Sequence, residues 1–227
     1  MNKEYKDMIN LWSGKIKDIK PHAHWKEGLG EEYFNYLGDV QFQHLKYFIE
    51  KHNIHNIFNI MEYGSGGGCN GRLLCKEFNH FFAVDISEPN LKEFAKQMKL
   101  FYNDNFTLIH YDGNNPDTLG DQIRNIDFIF STAVFQHLPS LDYSLKVLKN
   151  FNRMLINNGH ICIQYRENPY PDKPRKNTEY LKNYIRMLTF TDNEIKEQLK
   201  QSNFELLELK KFNKLSKTYK WVLGRKK

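Results

Sequence analysis

The stretch Ile60-Met61-Glu62-Tyr63-Gly64-Ser65-Gly66-Gly67-Gly68-Cys69-Asn70-Gly71-Arg72 decides the fold. The apolar run from Ile57 to Met61 reads as a buried strand. Glycines then break it, and from Arg72 through Leu73, Leu74 and Phe78 the apolar spacing becomes helical. Strand, glycine turn and helix form the first unit of a nucleotide-binding α/β sheet. Glycines in such a turn let the main chain approach a ligand that a Cβ would exclude, and they permit positive φ. The start of the following helix offers free N–H donors and a favourable dipole.

Two ligand patterns overlap here. Gly66, Gly68 and Gly71 satisfy a dinucleotide pattern, with Asp85 near the distance expected for a ribose contact. Glu62, Gly64, Gly66 and Gly68 satisfy acid-x-Gly-x-Gly-x-Gly. The strand ends at Tyr63, so Gly64 is the first ligand-facing glycine, and counting from it puts Cys69 where the dinucleotide motif needs a third glycine. An acid at the strand end also suits a positively charged ligand better than a pyrophosphate. In this motif the chain resembles the class I S-adenosylmethionine-dependent methyltransferases. An NAD(P)-dependent oxidoreductase is the reading from the other pattern.

The 227 residues suffice for one sizeable core with at most a small appendage, and 40% hydrophobic residues mark a globular chain. No apolar run approaches membrane-spanning length, and Met1-Asn2-Lys3-Glu4-Tyr5-Lys6 does not open a signal peptide. Three cysteines without metal-ligand spacing fit a reducing cytosol, so a cytoplasmic protein without membrane association is expected. The net charge of +6 admits nucleic acid without demanding it, since the excess gathers near the C-terminus in Lys210, Lys211, Lys214, Lys217, Lys220 and Arg225-Lys226-Lys227.

Before the glycine turn, apolar stripes predict one helix over about 3–19 and another over about 31–52. Between them, Pro21-His22-Ala23-His24-Trp25 is an odd segment for a linker. His22 and His24 have no cysteine or acid at ligand spacing beside them, so no metal is expected, and a lid segment or a surface turn both fit. After the turn, strands and helices alternate: strands at Phe81–Ile86, Phe106–Tyr111, Ile126–Thr132 and Gly159–Tyr165, helices after Ser87-Glu88-Pro89 and after Pro139. Such alternation predicts a mostly parallel sheet covered on both faces. Asn168–Lys176 is a proline-broken loop, Glu179–Leu188 a short helix, and Thr191-Asp192-Asn193-Glu194 has capping-box form for another. Phe204–Phe212 and Thr218–Leu223 read as two closing strands, an antiparallel pair at one edge. The resemblance implies a Rossmann-like seven-stranded sheet whose last strand is antiparallel. It covers residues 56–227 as the core and leaves 1–55 as an N-terminal helical cap or lid.

The strand ends supply candidates for each part of a methyl sulfonium cofactor. Asp85 is suited to accept from both ribose hydroxyls. Asp112 is placed to accept from the adenine amino group, with Gly113 admitting the ring and Ile86 or Phe135 packing on it. Glu62, with the backbone at Gly64 and Ser131, addresses the amino-acid end; Gly66 and Gly68 complete the cradle. Ser131-Thr132-Ala133-Val134-Phe135-Gln136-His137-Leu138-Pro139 resembles the segment after the fourth strand in many small-molecule enzymes of this class. Its His137 is the candidate general base, with a structural role in the loop as the alternative. His22, His24, Trp25, Tyr165 and Arg166 are the candidates for the acceptor, with Arg166 or Lys173 also able to bind a phosphate or carboxylate.

Amino-methylating DNA enzymes of this fold carry Asn or Asp before Pro-Pro-aromatic after the fourth strand, where this chain has Ser131-Thr132-Ala133. The expectation is therefore a small-molecule methyltransferase using S-adenosylmethionine and releasing S-adenosylhomocysteine. It acts on a hydroxyl-type oxygen in preference to nitrogen, with a sugar or surface-carbohydrate precursor as the favoured acceptor class. An RNA methyltransferase is the runner-up.

Overall fold

The computed structural model describes residues 3–16, 30–101, 103–168, 179–184, 188–212 and 218–227. Its centre is a seven-stranded sheet: β1 (Asn59–Tyr63), β2 (His80–Asp85), β3 (Phe106–His110), β4 (Ile126–Ser131), β5 (Leu155–Arg166), β6 (Phe204–Lys210) and β7 (Tyr219–Lys226). The order is β3-β2-β1-β4-β5-β7-β6. Pairs from β3 to β5 are parallel, and β7 runs antiparallel to both β5 and β6. The chain leaves β1 towards β2 and β3, then returns to build β4 and β5 on the other side. The glycine turn after β1 thus lies where the winding reverses, the crevice in which open α/β sheets bind ligands.

Successive residues of the central strands point to opposite faces, and each face is apolar. Ile60, Phe81, Ala83, Phe128, Phe130, Cys162, Trp221 and Leu223 pack on one side with Phe42, Leu45 and Phe48 of α2 (Glu31–Lys51). Leu74 of α3 (Gly71–Glu77) and Phe94 of α4 (Glu88–Leu100) join the same face. Met61, Tyr63, Ile129, Ile161, Ile163 and Tyr165 pack on the other with Met8 and Leu11 of α1 (Lys3–Trp12), and with Leu148 and Phe151 from the helix Leu141–Met154. A short helix, α5 (Leu119–Gln122), precedes β4; Leu141–Met154 is α6, Tyr180–Asn183 is α7 and Asp192–Gln201 is α8. The two-faced alternation decides which strand residues reach the site.

The local signals act as expected. Ser87 and Ser140 cap α4 and α6 through their hydroxyls, and Thr191 with Glu194 forms a full capping box at α8. The first helix is shorter than its apolar stripe: Gly14 takes φ +71, and Gly14 N–H and Lys15 N–H bond back to Leu11 and Asn10, a Schellman ending after Trp12. Residues 17–19 of that stripe lie outside the described residues. Of the two N-terminal helices, α2 is fastened to the glycine turn itself. A Cβ on Gly38 would stand 2.2 Å from the Cys69 carbonyl oxygen, and Arg72 Nη2 donates to the Asn35 carbonyl at 2.6 Å and to Asp39 at 2.5 Å. Among the described residues no helix is long and apolar enough to cross a membrane.

Candidate active site

A cavity of about 320 Å³ opens at the carboxyl ends of β1, β2, β4 and β5 and is roofed by Met8 and Trp12 of α1 and by Tyr33, Leu37 and Gln41 of α2. Glu62, Asp85 and Gln164, with Thr132 just past β4, reach it from the α2 face of the sheet, while Tyr63 at the end of β1 lines it from the opposite face.

Glu62 is buried, and its Oε1 accepts from Asn70 Nδ2 at 2.6 Å. Asn70 Nδ2 also reaches Thr132 Oγ1, which donates to Gln41 Oε1 at 3.0 Å, so a polar chain links β1, the glycine turn, the β4 end and α2. Burial lifts the Glu62 carboxyl to about 8; the Asn70 bond opposes that, and the nearby Asp85 charge adds to it. Glu62 Oε2, Asn70 Oδ1, Gln136 Oε1 and the Ser65 hydroxyl are all buried on this cavity wall without a hydrogen-bond partner among the described residues. Buried acceptors in such number call for a donor-rich, cationic ligand.

Asp85 is placed by the end of β2. Its Oδ2 accepts from Gly66 N at 2.9 Å and its Oδ1 from Ser87 N at 2.8 Å. Burial raises this carboxyl, and the two backbone N–H groups pull it back. The Asn90 side chain also donates to this carboxylate, which holds the glycine turn and faces the cavity beside Ile86. Gly64 lies at φ +76 with Val134 where its Cβ would be, at 2.2 Å. Only glycine fits there.

His137 lies on the wall within a 3-10 turn, Phe135–His137. Its Nδ1 is 2.7 Å from the Tyr184 carbonyl oxygen, so Nδ1 carries the proton, and Nε2 accepts from Gln136 Nε2 at 3.1 Å. Trp12 stands edge-on to the imidazole at 4.8 Å and donates to the Tyr180 hydroxyl, which donates to the His137 carbonyl at 2.7 Å. Helices α1 and α7 therefore grip the histidine turn from outside.

Several candidates sit elsewhere. Asp112 is exposed and off the cavity wall, because its Oδ1 turns back to accept from Asn114 N and Asn114 Nδ2. At Gly113 a Cβ would meet Ile9 and Ile86 at 3.0 and 3.2 Å, so its smallness seats α1. Gly68 packs on Phe94 of α4. Ser131 points to the opposite sheet face and donates to the Tyr63 carbonyl at 2.9 Å; Thr132 takes the cavity place. Tyr165 is fully buried between Phe135 and Phe190, one residue out of phase with the cavity. Arg166 stands behind Tyr219, donating to its hydroxyl at 3.2 Å. His22, His24, Trp25 and Lys173 lie outside the described residues. Sequence reading passed over Asn70, Gln41, Thr132, Gln164 and Tyr219. Strand parity was the available signal for Thr132 and Gln164; the others depend on tertiary placement.

A family model described as a methyltransferase domain matches residues 18–209. The chain belongs to that methyltransferase family. It is a class I enzyme of the S-adenosylmethionine-dependent type, which sets aside the oxidoreductase reading. No curated protein matches the sequence. Among solved structures it is similar to an S-adenosylmethionine-dependent methyltransferase from Clostridium acetobutylicum (14% identity, 98% of each chain, TM-score 0.63). It is also similar to the magnesium protoporphyrin IX methyltransferase of Synechocystis with bound S-adenosylhomocysteine (12% identity, 99% of this chain and 100% of that one, TM-score 0.70). TehB from Haemophilus influenzae matches at 21% identity and TM-score 0.58 over 79% of this chain, which spans only 61% of that protein. At such identities the likeness shows the fold. The cavity fits the cofactor: the unpartnered oxygens of Glu62 and Asn70 suit an ammonium, and the cavity-facing Asp85 suits a diol.

Proposed function

We propose that this enzyme methylates a hydroxyl oxygen of a small polar metabolite, with His137 as the base. The observation that carries the reading is the fixed imidazole. With the Nδ1 proton held by the Tyr184 carbonyl, Nε2 is left as the basic nitrogen, on the wall of the same cavity as Glu62 and Asp85. S-adenosylmethionine bound there supplies an electrophilic methyl group.

Glu62 and Asn70 would hold the amino-acid end of the cofactor and Asp85 its ribose. That leaves the β4–β5 side of the cavity, with His137, Gln136 and Gln164, for the acceptor. A hydroxyl must lose its proton as its oxygen takes the methyl group, and Nε2 is the group that would receive it, Gln136 Nε2 giving way. Trp12 and Met8 above, with Leu138 beside, exclude water from the transfer. A sugar or surface-carbohydrate precursor fits the hydroxyl requirement.

The test is incubation with methyl-labelled S-adenosylmethionine and a metabolite extract, followed by mass spectrometry of labelled products. An O-methylated small molecule is expected. Label on an amine or on RNA would overturn the reading.

A further inference from the structure

Gln164 and Tyr219 stand as diagonal neighbours on one face of the β5–β7 pair, and both line the cavity. Gln164 is 4% exposed, and its Oε1 accepts from Ala133 N at 2.9 Å. A backbone N–H can only donate, so the amide orientation is fixed. Ala133 holds φ +55 in the left-handed region, and this bond secures that turn. Gln164 Nε2 has no partner among the described residues and is left as a donor towards the cavity. The Tyr219 hydroxyl accepts from Arg166 Nη1 at 3.2 Å, so its own proton points away from the guanidinium, which also lies over its ring at 5.4 Å.

Arg166 has no carboxylate partner among the described residues. The acids nearby are taken: Glu167 pairs with Lys211 at 2.6 Å and Lys220 at 3.0 Å, and Asp192 pairs with Lys220 at 2.5 Å. This wall therefore offers two neutral donors backed by an uncompensated cation, opposite in character to the wall of unpartnered acceptors at Glu62 and Asn70.

Building on the proposed function of the same cavity, we propose that Gln164 and Tyr219, with Arg166 behind them, form an oxyanion subsite that binds a carboxylate or phosphate group of the methyl acceptor. The acceptor is then a hydroxylated acid or a phosphorylated hydroxy compound. Charge-assisted donation to an oxyanion is stronger than donation to a neutral oxygen, so the subsite selects anions over amides and alcohols of the same shape.

The full-length protein, labelled with ¹⁵N, is titrated at constant ionic strength with acetate, with inorganic phosphate and with neutral acetamide, following the Gln164 side-chain amide signal. Gln164→Glu, which keeps the acceptor for Ala133 N–H, identifies that signal by its loss. Acetate or phosphate is expected to shift it saturably, the tighter one naming the group, while acetamide leaves it in place. Arg166→Gln and Tyr219→Phe should each weaken the anion by about tenfold. No saturable shift with either anion, an equal response to acetamide, or undiminished binding in both variants would overturn the subsite. Thermal stabilisation by S-adenosylhomocysteine, read on the same samples, reports separately on the cofactor site: if it is absent while the anions bind, the proposed function fails and the subsite stands.

Discussion

Asn70 Nδ2 donates to Glu62 Oε1 at 2.6 Å, and the other oxygen of that buried carboxyl has no partner among the described residues. Burial moves this carboxyl from 4.5 to about 8, so between those values the folded protein holds a proton that the unfolded chain has released. Stability should fall as pH rises through that window and level off above it. Glu62→Gln should flatten the slope, as urea unfolding at about pH 5 and about pH 8 would measure. A cationic ligand favours the ionised carboxylate, so binding near neutrality should release a proton in the wild type and none in the variant; calorimetry in buffers of different ionisation enthalpy reads this.

Asp85 carries two tasks, because it anchors Gly66 N and Ser87 N while facing the cavity. Asp85→Ala should weaken S-adenosylhomocysteine by about 1–3 kcal/mol, the scale of a charge-assisted hydrogen bond. It should also lower the melting temperature by freeing two buried backbone donors, Gly66 N and Ser87 N. Calorimetry and a melting curve separate the two losses; unchanged affinity would remove Asp85 from the ribose site.

The contact of Gly38 with the Cys69 carbonyl gives α2 control over the glycine turn. Gly38→Ala should push the helix away from the turn, costing about 1–3 kcal/mol of stability as other overpacked substitutions do, and it should weaken S-adenosylhomocysteine. Unfolding and titration of the variant check both. Wild-type values for both would mean that the turn does not depend on α2.

Much of this was legible in the sequence. Glycines after an apolar run, alternating strands and helices, and serine and threonine caps each act locally, so the element order could be read residue by residue. The edge pairing was legible in part: β6 and β7 are antiparallel, but that β7 lies between β5 and β6 depends on long-range register. At the site, acids at strand ends were easy to find because Glu62 and Asp85 sit at the carboxyl ends of their strands. Tyr165 and Ser131 drew attention by chemistry, whereas strand parity turns them into the opposite face and presents Gln164 and Thr132 instead. Gln41 was out of reach, since only packing of α2 on the glycine turn brings it to Thr132.

His137 should hold a proton on Nδ1, because the Tyr184 carbonyl can only accept. Imidazole ¹⁵N shifts would report that proton. With an acceptor identified, His137→Gln should lower turnover on the order of 10²-fold while leaving S-adenosylhomocysteine affinity in place. Turnover near wild type would make the histidine a structural support for its turn.

Calorimetric titration of the full-length protein with S-adenosylhomocysteine and with methylthioadenosine, which lacks the amino-acid group, tests the site most directly. If Glu62 and Asn70 hold the ammonium, the first ligand should bind at least about tenfold more tightly, the scale of a charge-assisted hydrogen bond, and Glu62→Gln should narrow the gap. Equal affinities for the two ligands, or no binding of S-adenosylhomocysteine, would contradict the assignment of this cavity to the cofactor.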